Sequence, residues 1–350
     1  MKGIDAEIIV VDNDSKDESC NMVKQKFPHV TLLQNNDNVG FSKANNQGVA
    51  LAKGEYVCIL NPDTAVAEHT FSSALKYAEE HEDLGALGIN LMDGTGNFLP
   101  ESKRNVPTPK RSLLKMIGRT NSKNGYYANY LGEKDQGEIE VLVGAFMLLR
   151  KKVYEEVKGF DEDYFMYGED IDLSYKLLKA GYKNYYLGSL SMLHYKGEST
   201  QKDTAYLNRF YGAMKIFYGK HFSGNPLLNF SVSAGVKLAR LLRKFKENKK
   251  SIRPVQHKEV LVFTENIGLL KKVSTQFDLP VKSASKMILE RATFHETLCV
   301  FDVEYISYGQ IFSVMQLLKN KENSFRIKPP GCNFIIGSDQ SDEKGGVLAL

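Results

Sequence analysis

Six carboxylates crowd among aromatic residues in FDEDYFMYGEDIDLSYKLLKAGY, Phe160 to Tyr182: Asp161, Glu162, Asp163, Glu169, Asp170 and Asp172. Acids this dense repel one another unless a cation, a helix end or a reaction uses them. Gly168, then Glu169 and Asp170, then apolar Leu173, Leu177 and Leu178 and a closing Gly181, reads as a helix with acids in its first turn. The helix dipole stabilises such acids by ~0.3–1 kcal/mol each. That accounts for one or two of them. The run Phe165, Met166, Tyr167 just ahead suits a pocket wall, and a carboxylate in such a pocket can serve as a general base.

Three other places carry chemistry-bearing residues. In CILNPDTAV, Cys58 to Val66, Pro62 forces the chain out of a strand and aims Asp63 off its tip. Asp63 there is either an ordinary turn residue or a ligand for a hard cation shared with a diphosphate. In VVDNDS, Asp12, Asn13 and Ser15 either cap the following helix or hydrogen-bond a ligand base over the sheet edge. His194 ends a strand before YKGES, and joins a metal site only if the chain folds it back towards Asp63.

The elements that must position these residues follow from periodicity. AEIIVVDNDS, HVTLLQN and EYVCILNPD read as strands, with DESCNMVKQKF and FSKANNQGVALAKG as helices between them. Strand and helix alternating with short connections predict an α/β fold with a parallel sheet, its ligands beyond the carboxyl ends of the strands. VDNDS and NPDTAV both lie at such ends. Further on, VLVGAFMLLRKKVYEEVKGF reads as a strand and a helix, NYYLGSLSMLH as a strand, and DTAYLNRFYGAMKIFYGKHF as a helix. The stretch from Pro226 to Lys250 is apolar and then strongly basic. From about His257, KEVLVFTE, ETLCVFDVE and NFIIGS read as strands and YGQIFSVMQLLKNK as a helix, a small α/β appendage without a motif of its own.

The chain of 350 residues has room for one large domain with an appendage, and its 42% hydrophobic content supplies a substantial core. A net charge of +4 does not by itself point to nucleic acid, and no nucleic-acid partner is expected. Cys20, Cys58, Cys299 and Cys332 lie far apart without a CxxC pair, which fits a reducing compartment and argues against a zinc ribbon. No apolar run reaches the ~18 residues of a membrane span, and the expected location is cytoplasmic. The basic end of 226–250 suits anionic lipid, so this stretch is expected either on a membrane surface, at its inner face, or packed on the catalytic domain.

Together and in this order, IIVVDNDSKDES, NVGFSKANNQGVALAKGEYVCILNPDTAV, VGAFMLLRKKVYEEVKGFDEDYFMYGEDIDLSYKLLKAGY and HYKGEST resemble the inverting family 2 glycosyltransferases, in particular their rhamnosyltransferase-like branch. The resemblance covers roughly Ala6 to Phe222. It implies a GT-A fold, a Rossmann-like, mostly parallel sheet with flanking helices. It places Asp63 at the close of a metal-binding DxD-type motif, written here Asn61-Pro62-Asp63, and His194 as the histidine that completes the metal site in some members. Asp12 and Asn13 match the turn that meets the donor's base, Lys43 lies in the segment facing the nucleotide, and Gly144 and Ala145 line the sugar site. Asp170 matches the general base, with Glu169 beside it. The implied cofactor is a divalent cation, Mg or Mn. The implied partners are a nucleotide-sugar donor, rhamnose among the candidate sugars, and a glycan or lipid-linked acceptor in surface polysaccharide synthesis.

On this reading residues 1–222 form the glycosyltransferase domain, 223–256 an amphipathic basic helical linker and 257–350 the appendage. Family members normally begin with a further strand and helix before the VVDN strand, so an additional N-terminal strand and helix are expected upstream of Met1. A nucleotidyltransferase on the same fold is the first rival, and lacks the Gly-rich basic phosphate loop it would need. An inactive module that binds a nucleotide or a partner is the second.

Overall fold

The computed structural model describes residues 3–116, 125–195, 204–222, 256–291, 293–319, 321–341 and 345–350. The chain opens with two parallel strands, β1 (Ile9–Asp12) and β2 (Thr31–Gln34), joined through the helix α1 (Ser19–Lys26). Helix α2 (Phe41–Leu51) follows, and packs against β1 so closely that a Cβ on Gly48 would lie 3.1 Å from Val11. On its other side Val49 shares a buried cluster with Val57 and Ile59 of the next strand, β3 (Tyr56–Leu60). Among the described residues no backbone ladder joins β1 to β3. The helix spans both.

The main sheet adds β4 (Thr64–Val66), β5 (Leu84–Met92), β6 (Gln136–Ile139), β7 (Phe146–Arg150) and β8 (Lys183–His194), in the order β3-β7-β5-β8-β4, with β6 also on β8. Strands β5 and β8 run parallel, while β7 is antiparallel to both β3 and β5. The sheet is therefore mixed within the expected α/β class. Every residue of β5 is buried, as its sequence LGALGINLM, apolar on both faces, requires of a central strand. Helices α3 (Thr70–Glu79), α4 (Pro109–Met116), α5 (Lys151–Glu156), α6 (Glu169–Lys179) and α7 (Thr204–His221) complete this part.

Strand β8 changes partners along its length. Its first half pairs with β6, Asn184 opposite Ile139, and its last residues pair with β4, His194 opposite Thr64. Between them the register against β5 jumps from Leu187 to Ser191, a bulge that turns the strand from one neighbour to the other.

A second six-stranded sheet forms from β9 (Glu259–Phe263), β10 (Val281–Ala284), β11 (Thr297–Asp302), β12 (Ser324–Lys328), β13 (Phe334–Gly337) and β14 (Gly346–Ala349), in the order β10-β9-β11-β12-β13-β14. Its first four strands are parallel, and helices α8 (Ile267–Ser274) and α9 (Tyr308–Leu318) cross between them. One buried cluster holds Phe263, Phe301 and Phe325 of this unit together with Met92, Leu193 and Tyr195 of the main sheet. The two sheets thus share a core. The expected linker and membrane-surface stretch, 226–250, lies outside the described residues. Among those that are described, no helix is long and apolar enough to cross a membrane.

Candidate active site

The Asn-Pro-Asp stop does in the structure what its residue types dictate. Strand β3 ends at Leu60, the chain turns, and β4 starts at Thr64, whose hydroxyl donates to the Asn61 carbonyl at 2.7 Å. The Asn61 amide donates to the Ala145 carbonyl at 3.1 Å, and Tyr195 N–H donates to the Asp63 carbonyl at 2.9 Å. The antiparallel pairing of β4 with the end of β8 then sets His194 beside the turn, with Nε2 at 3.2 Å from Asp63 Oδ1. Both side chains are close to nine-tenths buried. Asn61 Oδ1 and His194 Nδ1 are buried without a hydrogen-bond partner, and Asp63 Oδ1, also buried, has no well-aligned hydrogen bond beyond its contact with His194. Buried polar atoms are rarely left so, and a cluster of three marks a place where a further group belongs.

Across Ala145 and Gly144 lies the acid-bearing helix α6. Gly168 enters it at φ 86°, and Glu169, Asp170 and Asp172 occupy its first turn. Asp170 accepts three hydrogen bonds. Its Oδ2 accepts from Arg104 Nη2 at 2.6 Å and from Gly144 N–H at 3.2 Å, and its Oδ1 accepts from Ile171 N–H at 2.8 Å. Arg104 is itself buried, donates also to the Leu142 carbonyl, and is held in place by paired backbone bonds with Val141. Burial opposes its charge, but Asp170 and Tyr126 more than offset that and raise its pKa. Tyr126 in turn is held below the usual phenol range: burial opposes this, and the charges of Arg104 and Lys115 outweigh it.

Glu169 is the opposite case. Its Oε2 is buried with no partner, and burial first, then the neighbouring Asp170 charge, push its pKa up to about 8. Two adjacent carboxylates have been driven apart in behaviour, one ion-paired and the other inclined to keep its proton. The other acids of the stretch are accounted for structurally. Asp161 and Asp163 pair with Lys220, and Asp172 accepts from His221 at 2.6 Å.

The turn after β1 reaches this site through helix α2. Asn13 Nδ2 donates to the Gly40 carbonyl at 3.1 Å, and its Oδ1 accepts from Asn35 at 3.0 Å. Asp12 accepts from Ser15 N–H at 3.1 Å, so it caps the following turn, and its pKa falls because these hydrogen bonds outweigh its burial. Gly40 sits at φ 87°, and Phe41 N–H donates to the Phe165 carbonyl at 2.8 Å. The Phe41 ring lies 3.6 Å from where a Gly144 side chain would start. Lys43 stands exposed on the first turn of α2, apart from the carboxylates. The structure therefore gathers Asn61, Asp63, Gly144, Ala145, Glu169, Asp170 and His194 near one another, ties Asn13 to Gly40 at the start of α2 with Asp12 next to it in the chain, and leaves Lys43 exposed on α2.

Arg104 escaped the sequence reading. It sits in ESKRNVP with no local pattern around it, 66 positions from its partner. The one available hint was general, that a cluster of acids inside a pocket needs a cation.

Residues 2–158 match the model of the glycosyl transferase family 2. The chain is 29% identical over 232 residues to the N-acetylglucosaminyl-diphospho-decaprenol L-rhamnosyltransferase of Mycobacterium tuberculosis, covering 62% of this chain and 76% of that protein. It is 28% identical over 196 residues to the rhamnosyltransferase WbbL of Escherichia coli, covering 53% and 72%. Among solved structures it is similar to the mannosyltransferase PcManGT of Pyrobaculum calidifontis in complex with GDP-Man and Mn2+, at 16% identity and a TM-score of 0.43, covering 70% of this chain and 67% of that one. It is also similar to GalNAc-T7 with UDP, GalNAc and Mn2+, at 16% identity and a TM-score of 0.41, where it spans 61% of this chain and 44% of that one.

Proposed function

We propose, from the premise that this chain carries a family 2 glycosyltransferase domain of the rhamnosyltransferase-like kind, that it moves a sugar from a nucleoside-diphosphate donor to a hydroxyl of a glycan or lipid-linked acceptor, with inversion at the anomeric carbon. The observation that carries this reading is the arrangement of two unlike centres either side of Gly144 and Ala145. On one side stand Asn61 and the Asp63–His194 pair with their unsatisfied buried polar atoms, and on the other Asp170 paired with Arg104.

The first centre fits a divalent cation. It offers carboxylate and amide oxygens with an imidazole nitrogen, and no set of three His, Cys, Asp or Glu residues stands together there among the described residues. A site with so few ionisable ligands suits a cation that takes its remaining ligands from a diphosphate, Mg or Mn by type. When bound, such an ion neutralises charge on the departing nucleoside diphosphate. Asp63 and His194 would hold it, with Asn61 beside them.

The chain's own residues do the rest. Gly144 and Ala145 stand between the two centres, the Gly144 amide on Asp170 and the Ala145 carbonyl on the Asn61 backbone N–H, and the sugar is proposed to lie along them. The acceptor oxygen forms its bond to the anomeric carbon as the bond to the diphosphate oxygen breaks, and the hydroxyl proton passes to Asp170. Arg104 and the Gly144 amide both donate to Asp170 Oδ2 and hold that carboxylate beside Gly144. Burial and the Asp170 charge push the Glu169 pKa up, which disfavours a second negative charge in the pocket. Asp12, Asn13 and Lys43 lie on the side where the nucleotide base would sit. Rhamnose is the sugar proposed, by likeness to the two relatives named above.

A panel of nucleoside-diphosphate sugars, read by release of the nucleoside diphosphate with Mg2+ or Mn2+, tests this reading. We expect turnover with a deoxysugar donor. Asp63→Ala should abolish metal-dependent binding of nucleoside diphosphate while far-UV circular dichroism stays unchanged. Binding without turnover on any donor would favour the module that only binds nucleotide. Undiminished Mn2+-dependent binding in Asp63→Ala would remove Asp63 from the site.

A further inference from the structure

We propose that the C-terminal α/β unit is the buttress of the Asp63–His194 corner, and that Tyr195 is the positioning residue through which it acts. This rests on the reading above that Asp63 and His194 hold a divalent cation. Nothing in the sequence of 257–350 suggests a task of its own, yet the unit is seated on the one part of the main sheet that is least able to hold itself.

That part is β4. It is three residues long, lies at the edge of its sheet, and pairs on one side only, through Thr64–His194, Ala65–Leu193 and Val66–Met192. A ladder so short fixes a carboxylate poorly by itself, since short edge segments open at little cost in free energy. The C-terminal unit supplies the missing restraint at three points.

First, Tyr195 follows His194 directly and bridges both sides. Its backbone N–H donates to the Asp63 carbonyl at 2.9 Å. Its ring is buried in the core of the C-terminal unit, against Gly94 and Gly345, and its hydroxyl reaches the Ile336 carbonyl at 3.4 Å. Second, Glu68, just past β4, caps helix α9: its two carboxylate oxygens accept from Tyr308 N–H at 2.7 Å and Gly309 N–H at 3.2 Å. These are free amides of a helix N-terminus, and a carboxylate there is stabilised by the dipole as well as by the hydrogen bonds. Third, Ala65 and Ala67 pack on the shared core, while Gln316 of α9 donates to Ser191 at 3.2 Å on the neighbouring strand. Gly96, at φ 84°, has the Met315 carbonyl at 2.3 Å from the site of a side chain, so no larger residue would let α9 approach.

The paired ends of β4 and β8, which carry the two candidate ligands, are thus clamped from the far side by a different unit. Residues that orient metal ligands from behind typically change metal affinity by roughly 10–100-fold when altered.

Titration of Mn2+ into the full-length protein with a saturating nucleoside diphosphate, followed by the loss of free Mn2+ electron paramagnetic resonance signal, tests the proposal. Tyr195→Ala should raise the Mn2+ midpoint roughly 10-fold. Tyr195→Phe, which keeps the ring and loses only a long hydrogen bond, should leave the midpoint at its wild-type value. Glu68→Gln keeps shape but removes the charge at the α9 N-terminus, and should raise the midpoint in the same direction. It also carries the test should Tyr195→Ala fail to fold. Turnover by Tyr195→Ala should recover at high Mn2+, whereas a general loss of folded protein would not be rescued. Wild-type midpoints in both Tyr195→Ala and Glu68→Gln would overturn the buttress. A wild-type protein that binds no Mn2+ with nucleoside diphosphate would instead overturn the metal reading beneath it.

Discussion

At the scale of residues, two carboxylates side by side have been given different surroundings. Asp170 has three donors and Arg104's charge, and Glu169 has burial and a negative neighbour. Asp170→Asn keeps the shape but loses the proton acceptor, and the rate should fall by roughly 10²–10⁴-fold while donor affinity holds. The same change leaves Arg104 buried without its counter-charge, which costs about 3–5 kcal/mol. Rates should therefore be taken well below the melting temperature, and full turnover by the folded variant would move the base elsewhere. Glu169 makes a separate prediction about stability. Its proton is retained from the ordinary value of 4.5 up to about 8 in the folded chain, and is lost earlier in the unfolded one. The unfolded chain binds fewer protons across that window, so stability falls as pH rises through it. Glu169→Gln mimics the protonated form and should melt higher than wild type at the alkaline end, with the gap in melting temperature widening from about pH 5 to about pH 8 and level above that. A gap that does not depend on pH would mean Glu169 titrates normally.

At the scale of elements, helix α2 is the part on which the site turns. It packs on β1, shares a core with β3, receives Asn13 at its start and touches both Phe165 and Gly144. Its first turn requires Gly40, whose φ of 87° and ψ of 168° suit glycine alone, and whose missing side chain would meet the Phe165 carbonyl at 2.6 Å. Gly40→Ala should cost roughly 1–3 kcal/mol from backbone strain, with the contact adding to it. Denaturant unfolding would read this directly, and a loss under about 0.5 kcal/mol would mean the loop at Phe165 simply yields. Donor affinity should fall in the same variant, since the Asn13 turn and the Phe165 loop both lean on this residue.

At the scale of the whole molecule, two sheets share one buried cluster rather than meeting across a polar seam. Met92, Leu193 and Tyr195 would be bare without the C-terminal unit, and so would the helix amides that Glu68 caps. The pairing of β1 with β2 alone leaves Ile8 and, across the α2-covered interval, Leu60 among the exposed large apolar residues. Val10 and Val11 are half-buried and Leu60 is exposed, while Ile59 is buried with Val49 of α2, so the cover is uneven along these strands.

The strand and helix order of the first sixty residues, the stop at Asn61-Pro62-Asp63 and the acid-headed helix from Glu169 were legible in the sequence, because each is written in consecutive residues through periodicity, proline and glycine, whereas the central strand β5 and helix α3 were not read from it. The family match over 2–158 rests on the same local order. Other features were not written there. That His194 meets Asp63 depends on β4 choosing the end of β8 as its neighbour, which the bulge at Gly188 to Leu190 permits. That Asp170 is tied to Arg104, and that Glu169 is not, depends on a loop arriving from 66 residues upstream. That an appendage without motifs holds the corner of the site depends on which face of the main sheet was left uncovered. Such pairings are set by sheet order and by burial shared between distant segments, and no window of neighbouring residues carries them. The sequence determined which chemistry was on hand, and the tertiary structure decided which groups would be partnered and which left free to react.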